Sequence, residues 1–186
     1  RAPGTTLDLE LLGLGKHAIG ESTSRRATID GIIDRLKYLP PTTRQMQVDA
    51  LAHAIGNDLP RNLMLRSDQV RALHSSGMAI GGHTVTHPIL ARIDDAEARS
   101  EIRAGREALE SILGSRVNFF AYPNGKPGTD YRPEHVNMVR ELGFTAALST
   151  RAGAADASSD RYQLPRFTPW GNTPQRFGIG LARNHL

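Results

Sequence analysis

The sequence has no cysteine. Disulfide cross-links, thiolate metal ligands and cysteine nucleophiles are therefore excluded together, and any metal shell must be built from histidine and carboxylate. Aromatic residues make up only 5% of the chain, thin for stacking on nucleic-acid bases. Lysine is scarce, with 3 Lys against 20 Arg. The formal charge of +4 and pI near 9.8 would suit an anionic partner, but the basic residues are scattered and only Arg25 and Arg26 are adjacent. No nucleic-acid partner is expected from such a pattern. There is no run of about 18 uncharged apolar residues, so no transmembrane segment is expected, and the start of the chain lacks the basic-apolar-small order of a signal peptide. Cytoplasmic and cell-envelope locations both stay open. What is present is 186 residues, 39% hydrophobic, with 18 Gly, which is one globular domain's worth of chain. It starts at Arg1 rather than Met, so a fragment or a processed product is expected.

The pattern changes along the chain. Leu7 to Gly20 is apolar and glycine-punctuated without a clean period, and reads as irregular or a short element. Ile29, Ile32, Ile33 and Leu36 recur at helical spacing up to the stop at Pro40-Pro41. Thr42 or Thr43 is placed to cap a second helix carrying Met46, Leu51 and Ile55 and closed by Gly56, and Ser67 a third through Val70 and Leu73. From there the periodicity alternates. Met78 to Ile80 reads as a buried strand, and Asp94 with Glu97 as a capping box for a helix through Ala98, Ile102 and Leu113 to Gly114. Val117 to Tyr122 reads as a strand, Pro133 opens a helix ending at Gly143, and Phe144 to Leu148 reads as a third strand. Tyr162 to Phe167 reads as a fourth. Strand-helix alternation predicts an α/β fold with parallel strands, and places chemistry in the loops after the strands' carboxyl ends. Residues 1–66 read as a helical or irregular connecting region and 67–186 as the α/β portion, one domain overall.

Chemistry concentrates in two of those loops. His83 and His87 are separated by three residues after the first strand, preceded by Gly81-Gly82 and followed by Pro88. Two neutral imidazoles from one short loop lose little entropy in converging on a metal ion. The other loop is Pro123-Asn124-Gly125, after the second strand. His17, His53, His74 and His135 have no motif around them and read as surface or supporting residues.

Gly81-Gly82-His83-Thr84-Val85-Thr86-His87-Pro88 resembles the second motif of the polysaccharide deacetylases (the NodB-homology domain, carbohydrate esterase family four), in which a His-Ser/Thr-x-x-His segment supplies two metal ligands. Phe119-Phe120-Ala121-Tyr122-Pro123-Asn124-Gly125 is similar to the Pro-Tyr-Gly segment of the third motif, and Tyr162 to Phe167 to a late strand of many members. The resemblance implies a distorted (β/α) barrel, incomplete at its N-terminus. It implies a metal-dependent hydrolase that removes an N-acetyl or O-acetyl group from a carbohydrate and releases acetate. Its divalent ion, zinc foremost with cobalt or nickel as options, would be held by His83, His87 and a carboxylate. The hydroxyl of Thr84 would brace the loop, and the Asn124 backbone N–H would be the oxyanion donor. Tyr122, Pro123, Asp130 and Trp170 are the expected substrate contacts.

The sequence also departs from the family pattern. The Thr-Phe-Asp-Asp-Gly motif that should bring the base and the metal-binding aspartate is absent, and Asp94-Asp95 opens a helix as a cap. Ala121 stands where the family has arginine. The late Leu-x-His motif has no clear counterpart, since His185 lies at the terminus four residues after Leu181. The expectation is the C-terminal portion of a longer deacetylase, with the third ligand, base and general acid unidentified. The alternative is a catalytically silent member of the fold that binds carbohydrate or serves as a scaffold.

Overall fold

A computed structural model describes residues 4–56, 62–167 and 173–184. The chain divides into two compact units, Arg1–Met64 and Leu65–Leu186.

The first unit opens with a hairpin, where the sequence offered an irregular segment or a short element for Leu7 to Gly20. Strand β1 (Thr6–Leu9) pairs antiparallel with β2 (Gly15–Ala18), in register Leu7↔His17 and Leu9↔Gly15. Gly13, at φ 67°, turns the chain between them. The four-residue strands are too short to show alternation clearly, which is why the hairpin escapes a reading by period. Helix α1 (Ser22–Leu36) buries Thr28, Ile32 and Leu36, whereas Ile29 and Ile33 stay half exposed. Helix α2 (Pro41–Ile55) starts with Pro41 in its first turn and Pro40 as N-cap, so the proline pair that stops one helix opens the next, and neither Thr42 nor Thr43 is the cap. Gly56, left-handed at φ 65°, closes it. Leu9, Leu14, Ile32 and Leu36 form this unit's core.

The second unit is mixed α/β. Helix α3 (Ser67–Ser75) leads to β3 (Gly81–Gly82), then α4 (Asp95–Leu113), β4 (Phe119–Ala121), α5 (Pro133–Glu141) and β5 (Ala146–Leu148). The strands form a parallel three-stranded sheet in the order β3-β4-β5, with Gly82↔Phe120 and Phe120↔Ala147 in register. Each neighbouring pair is joined through a helix, as parallel strands require. The buried strand read at Met78 to Ile80 is displaced: pairing begins at Gly81, and Met78 is 57% exposed. Asp94 caps α4 by accepting the Glu97 N–H at 2.8 Å, and Gly114 ends it at φ 65°.

The region read as a fourth strand, Tyr162 to Phe167, joins the sheet only through a bridge between Leu148 and Leu164. No closed barrel forms among the described residues. A helix not foreseen, α6 (Pro174–Asn184), follows, and no described helix is long and apolar enough to cross a membrane.

The core of this unit packs α4 and α5 against the sheet through Ile102, Phe120, Tyr122, Val139 and Phe144. Along β4 exposure alternates, with Phe119 at 40% and Phe120 at 0%, so the strand delivers Ala121 and the turn after it to the edge of the sheet. Because the strands are parallel, the loops following β3, β4 and β5 emerge at the same edge.

Candidate functional site

The histidine loop leaves β3 at the point where Gly82 packs against the rings of Phe120 and Phe144; a Cβ there would lie 3.4 Å from both. His83 and His87 are both exposed, and their rings stand edge to face with centroids 4.7 Å apart. The sequence spacing therefore does bring the imidazoles together. His83 Nδ1 lies 2.7 Å from the Ala121 carbonyl oxygen. A carbonyl only accepts, so Nδ1 carries the proton, and in the neutral ring Nε2 keeps its lone pair, the tautomer a metal ligand needs. Thus β4 orients His83 through its backbone, at the position whose side chain departs from the family pattern.

The loop between the histidines is strained and tied down. Thr84, His87 and Asn124 are the non-glycine residues with positive φ among the described residues, at 63°, 57° and 56°. Such conformations cost about 1–3 kcal/mol each and persist only where the surroundings over-determine them. Thr84 Oγ1 donates to the His83 carbonyl at 2.5 Å and accepts the His87 N–H at 3.1 Å. Glu101, on α4, accepts from the N–H groups of Val85 at 2.8 Å and Thr86 at 2.9 Å through one oxygen, and from Thr86 Oγ1 at 2.9 Å through the other. Gly105, one turn further along α4, lets the loop approach: a Cβ there would sit 2.8 Å from the Thr84 carbonyl carbon and oxygen. A reading by motif misses Glu101. The available signal was the isolated Gly105 in the middle of a helical pattern, a costly choice that marks close backbone contact.

The second loop is held equally closely. Pro123 is buried, and the Gly125 N–H bends back to the Pro123 carbonyl at 2.6 Å. The Thr150 N–H, just beyond β5, donates to the Gly125 carbonyl at 2.8 Å. Between these anchors Asn124 is exposed, and its N–H has no acceptor among the described residues. An N–H left without a protein acceptor on a turn held at both ends can receive a developing oxyanion.

The expected substrate contacts fare differently. Tyr122 is 2% exposed, stacks on Tyr131 at 3.8 Å and donates its hydroxyl to the Tyr162 carbonyl at 2.9 Å. Burial pushes its ionisation well above the ordinary range. Asp130 is likewise buried at 2% exposed, one oxygen accepting the Lys126 N–H at 2.8 Å. Both side chains build the wall behind the loop instead of facing outward. Trp170 and His185 lie outside the described residues. A polar cavity opens beyond the turn, lined by Pro127, Arg151, Asp156, Asp160 and Gln163 among others. The Gln163 amide and the Tyr162 N–H hold the Asp160 carboxyl below the usual carboxylate range.

Among the remaining histidines, His135 is not a surface residue. It is 1% exposed on α5, accepts the Arg132 N–H through Nδ1 at 3.0 Å, and points Nε2 to within 3.7 Å of Asp95. His17 and His74 also have partners, the Leu14 carbonyl at 2.9 Å and Ser115 Oγ at 3.3 Å.

Two adjacent imidazoles, one with its Nδ1 proton already committed to a carbonyl, fit part of a divalent-metal shell. Among the described residues no group of three His, Asp or Glu completes it.

Comparison with known proteins joins these observations. The chain is 22% identical over 137 residues to YxkH of Bacillus subtilis (strain 168), a protein named as a polysaccharide deacetylase, covering 74% of this chain and 48% of the relative. It therefore spans about half the length of that curated relative. In fold it is similar to the deacetylase PplD of Streptococcus pyogenes, solved in complex with acetate, with a TM-score of 0.53 and 24% identity over 57% of this chain and 45% of that one. A polysaccharide deacetylase from Bacillus cereus gives a TM-score of 0.53 at 18% identity, over 74% and 48% of the two chains. The family model for polysaccharide deacetylase matches residues 30–147, a span that contains the histidine loop, the helix clamping it and the turn after β4; the chain belongs to the polysaccharide deacetylase family.

Proposed function

We propose that this chain contributes to hydrolysis of an N-acetyl or O-acetyl group on a carbohydrate, with release of acetate. The observation that carries the reading is the pairing of His83 and His87 at a 4.7 Å ring separation, with the Nδ1 proton of His83 committed to Ala121. His83 and His87 would hold a divalent ion, zinc foremost with cobalt or nickel as options. Such an ion, when bound, supplies activation of water and polarisation of the acyl carbonyl. The chain's own residues do the rest. The Asn124 N–H would donate to the acyl oxygen as negative charge collects on it, aimed by the buried Pro123 and the Gly125–Thr150 bond. Pro123 and the polar cavity beside the turn would border the sugar, and Trp170 is retained as a proposed contact. Tyr122 and Asp130 act from behind, keeping the turn in place. The three parallel strands with their helices are proposed to be part of a distorted (β/α) barrel.

A second reading, a silent member of the fold that binds carbohydrate, draws on one observation. No third metal-binding side chain converges on the two histidines among the described residues.

Metal binding and acetate release separate the two readings. Incubated with zinc or cobalt and a chito-oligosaccharide, the chain is expected to take up metal and release acetate, and His83→Ala or His87→Ala to lose both. Metal uptake without acetate supports the silent reading, and uptake that survives both substitutions overturns the metal site.

A further inference from the structure

We propose that helix α4 is the template that sets the His83–His87 geometry, with Glu101 as a positioning residue and Gly105 as its seat. The inference deepens the proposed metal site and rests on that reading for its metal-binding consequence. Four residues apart, Glu101 and Gly105 lie on one face of α4, and both meet the short segment between the histidines. Glu101 accepts both backbone N–H groups at the middle of the loop, Val85 and Thr86, together with the Thr86 hydroxyl. Gly105 leaves the space that the Thr84 carbonyl group occupies.

These contacts bear on the places where the backbone is least free to choose its own shape. Thr84 and His87 are both left-handed, at φ 63° and 57°. Left to itself, a loop of these residues relaxes toward negative φ, and a change at either residue swings an imidazole. The Thr84 hydroxyl spans the loop internally, but it moves with the loop and cannot fix it to the fold. The carboxylate of Glu101 and the cleft over Gly105 provide the external reference. Its partner is the Ala121 carbonyl, which fixes the ring of His83 from the β4 side. The histidine loop is thus clamped between a helix and a strand, and the helix half of the clamp is made of two residues that touch no ligand themselves.

The test uses the full 186-residue chain and two readouts. In the metal-free chain, NMR follows amide exchange at Val85 and Thr86 and the cross-relaxation between the two imidazole rings. Glu101→Ala is expected to speed exchange at both amides by about tenfold or more and to abolish the ring contact. Glu101→Gln, which keeps one carbonyl oxygen for the two amides, is expected to restore both. Gly105→Ala provides the second variant: alanine favours the helix, so α4 should hold while the ring contact is lost. In the second readout, Co2+ titration should show binding weakened about 10–100-fold by Glu101→Ala and Gly105→Ala, as for other residues that orient metal ligands.

Unchanged exchange and ring contact in Glu101→Ala and Gly105→Ala would overturn the inference. So would a Glu101→Gln variant that behaves like Glu101→Ala. Co2+ binding indifferent to His83→Ala and His87→Ala would instead sink the metal reading, and the NMR arm still decides the positioning role.

Discussion

Asn124 shows how much a single residue can settle. At φ 56° it occupies a region that asparagine visits more readily than most residues, and its N–H, with no acceptor among the described residues, sits on a turn that Pro123 and Gly125 hold on either side. The position needs a backbone shape more than a side chain. Asn124→Gly is therefore expected to leave stability within a few tenths of a kcal/mol, whereas Asn124→Val should cost about 1–2 kcal/mol in urea unfolding through its branched Cβ. A valine variant as stable as the parent would show that the turn is not constrained. The left-handed conformation at this residue could not be read from the sequence with assurance. Asn before Gly marks a turn, but the turn's shape depends on Thr150, which lies 25 positions downstream of its Gly125 partner and reaches it only in the fold.

At the scale of elements, α4 does two kinds of work. Glu101 and Gly105 meet the histidine loop. Ala98 and Ile102 are buried in the core, and further along Arg106 donates to Glu110 at 2.8 Å, to the Leu142 carbonyl, and stands 4.9 Å over the Phe144 ring. Glu110 in turn accepts the Val117 N–H at 3.0 Å, and this bond, with Arg106 beside it, holds its carboxyl below the usual range. The pair thus ties α4 to the entry of β4 and to the end of α5. Arg106→Ala is expected to destabilise this unit by about 1.5–3 kcal/mol, seen as a lower urea midpoint with unchanged slope. Arg106→Lys should recover little, because an ammonium cannot reproduce the planar fork. An alanine variant with the parent's midpoint would show the cluster to be ornamental. Helix α4 itself was legible through its cap, its spacing and its terminal glycine. The hairpin of β1 and β2 and the short strand β3 were not, because two to four residues give a period too little length to be seen.

For the molecule as a whole, pH is a direct probe of the second unit. Burial drives the His135 imidazole below its ordinary range, and the Asp95 carboxylate, 3.7 Å away, offsets only part of that. The folded chain therefore binds fewer protons at this residue than the unfolded chain once the pH falls below about 6.5. Stability from His135 is fully present above that pH and is lost progressively as the pH drops toward the folded value. Thermal unfolding between pH 7 and 5 should show this decline, and His135→Gln, which can still accept the Arg132 N–H, should flatten it. An identical slope in the variant would mean that carboxylates alone set the acid limb.

The sequence by itself determined the alternation of strands and helices in the second half, the cap of α4, the glycine stops of α2 and α4, the proline that opens α5, the absence of thiol chemistry, and the two loops that carry the family motifs. These are local matters: spacing, capping and residue type act over a few positions, and a chain of 186 residues displays them directly. Only the tertiary structure decided which groups meet. It turned His135 inward against Asp95, buried Tyr122 and Asp130 behind the turn, spent the His83 Nδ1 proton on Ala121, and set Glu101 and Gly105 under the loop they clamp. Each of these joins residues brought together by packing of one element on another, and hydrogen bonds across such distances leave no period in the sequence to read.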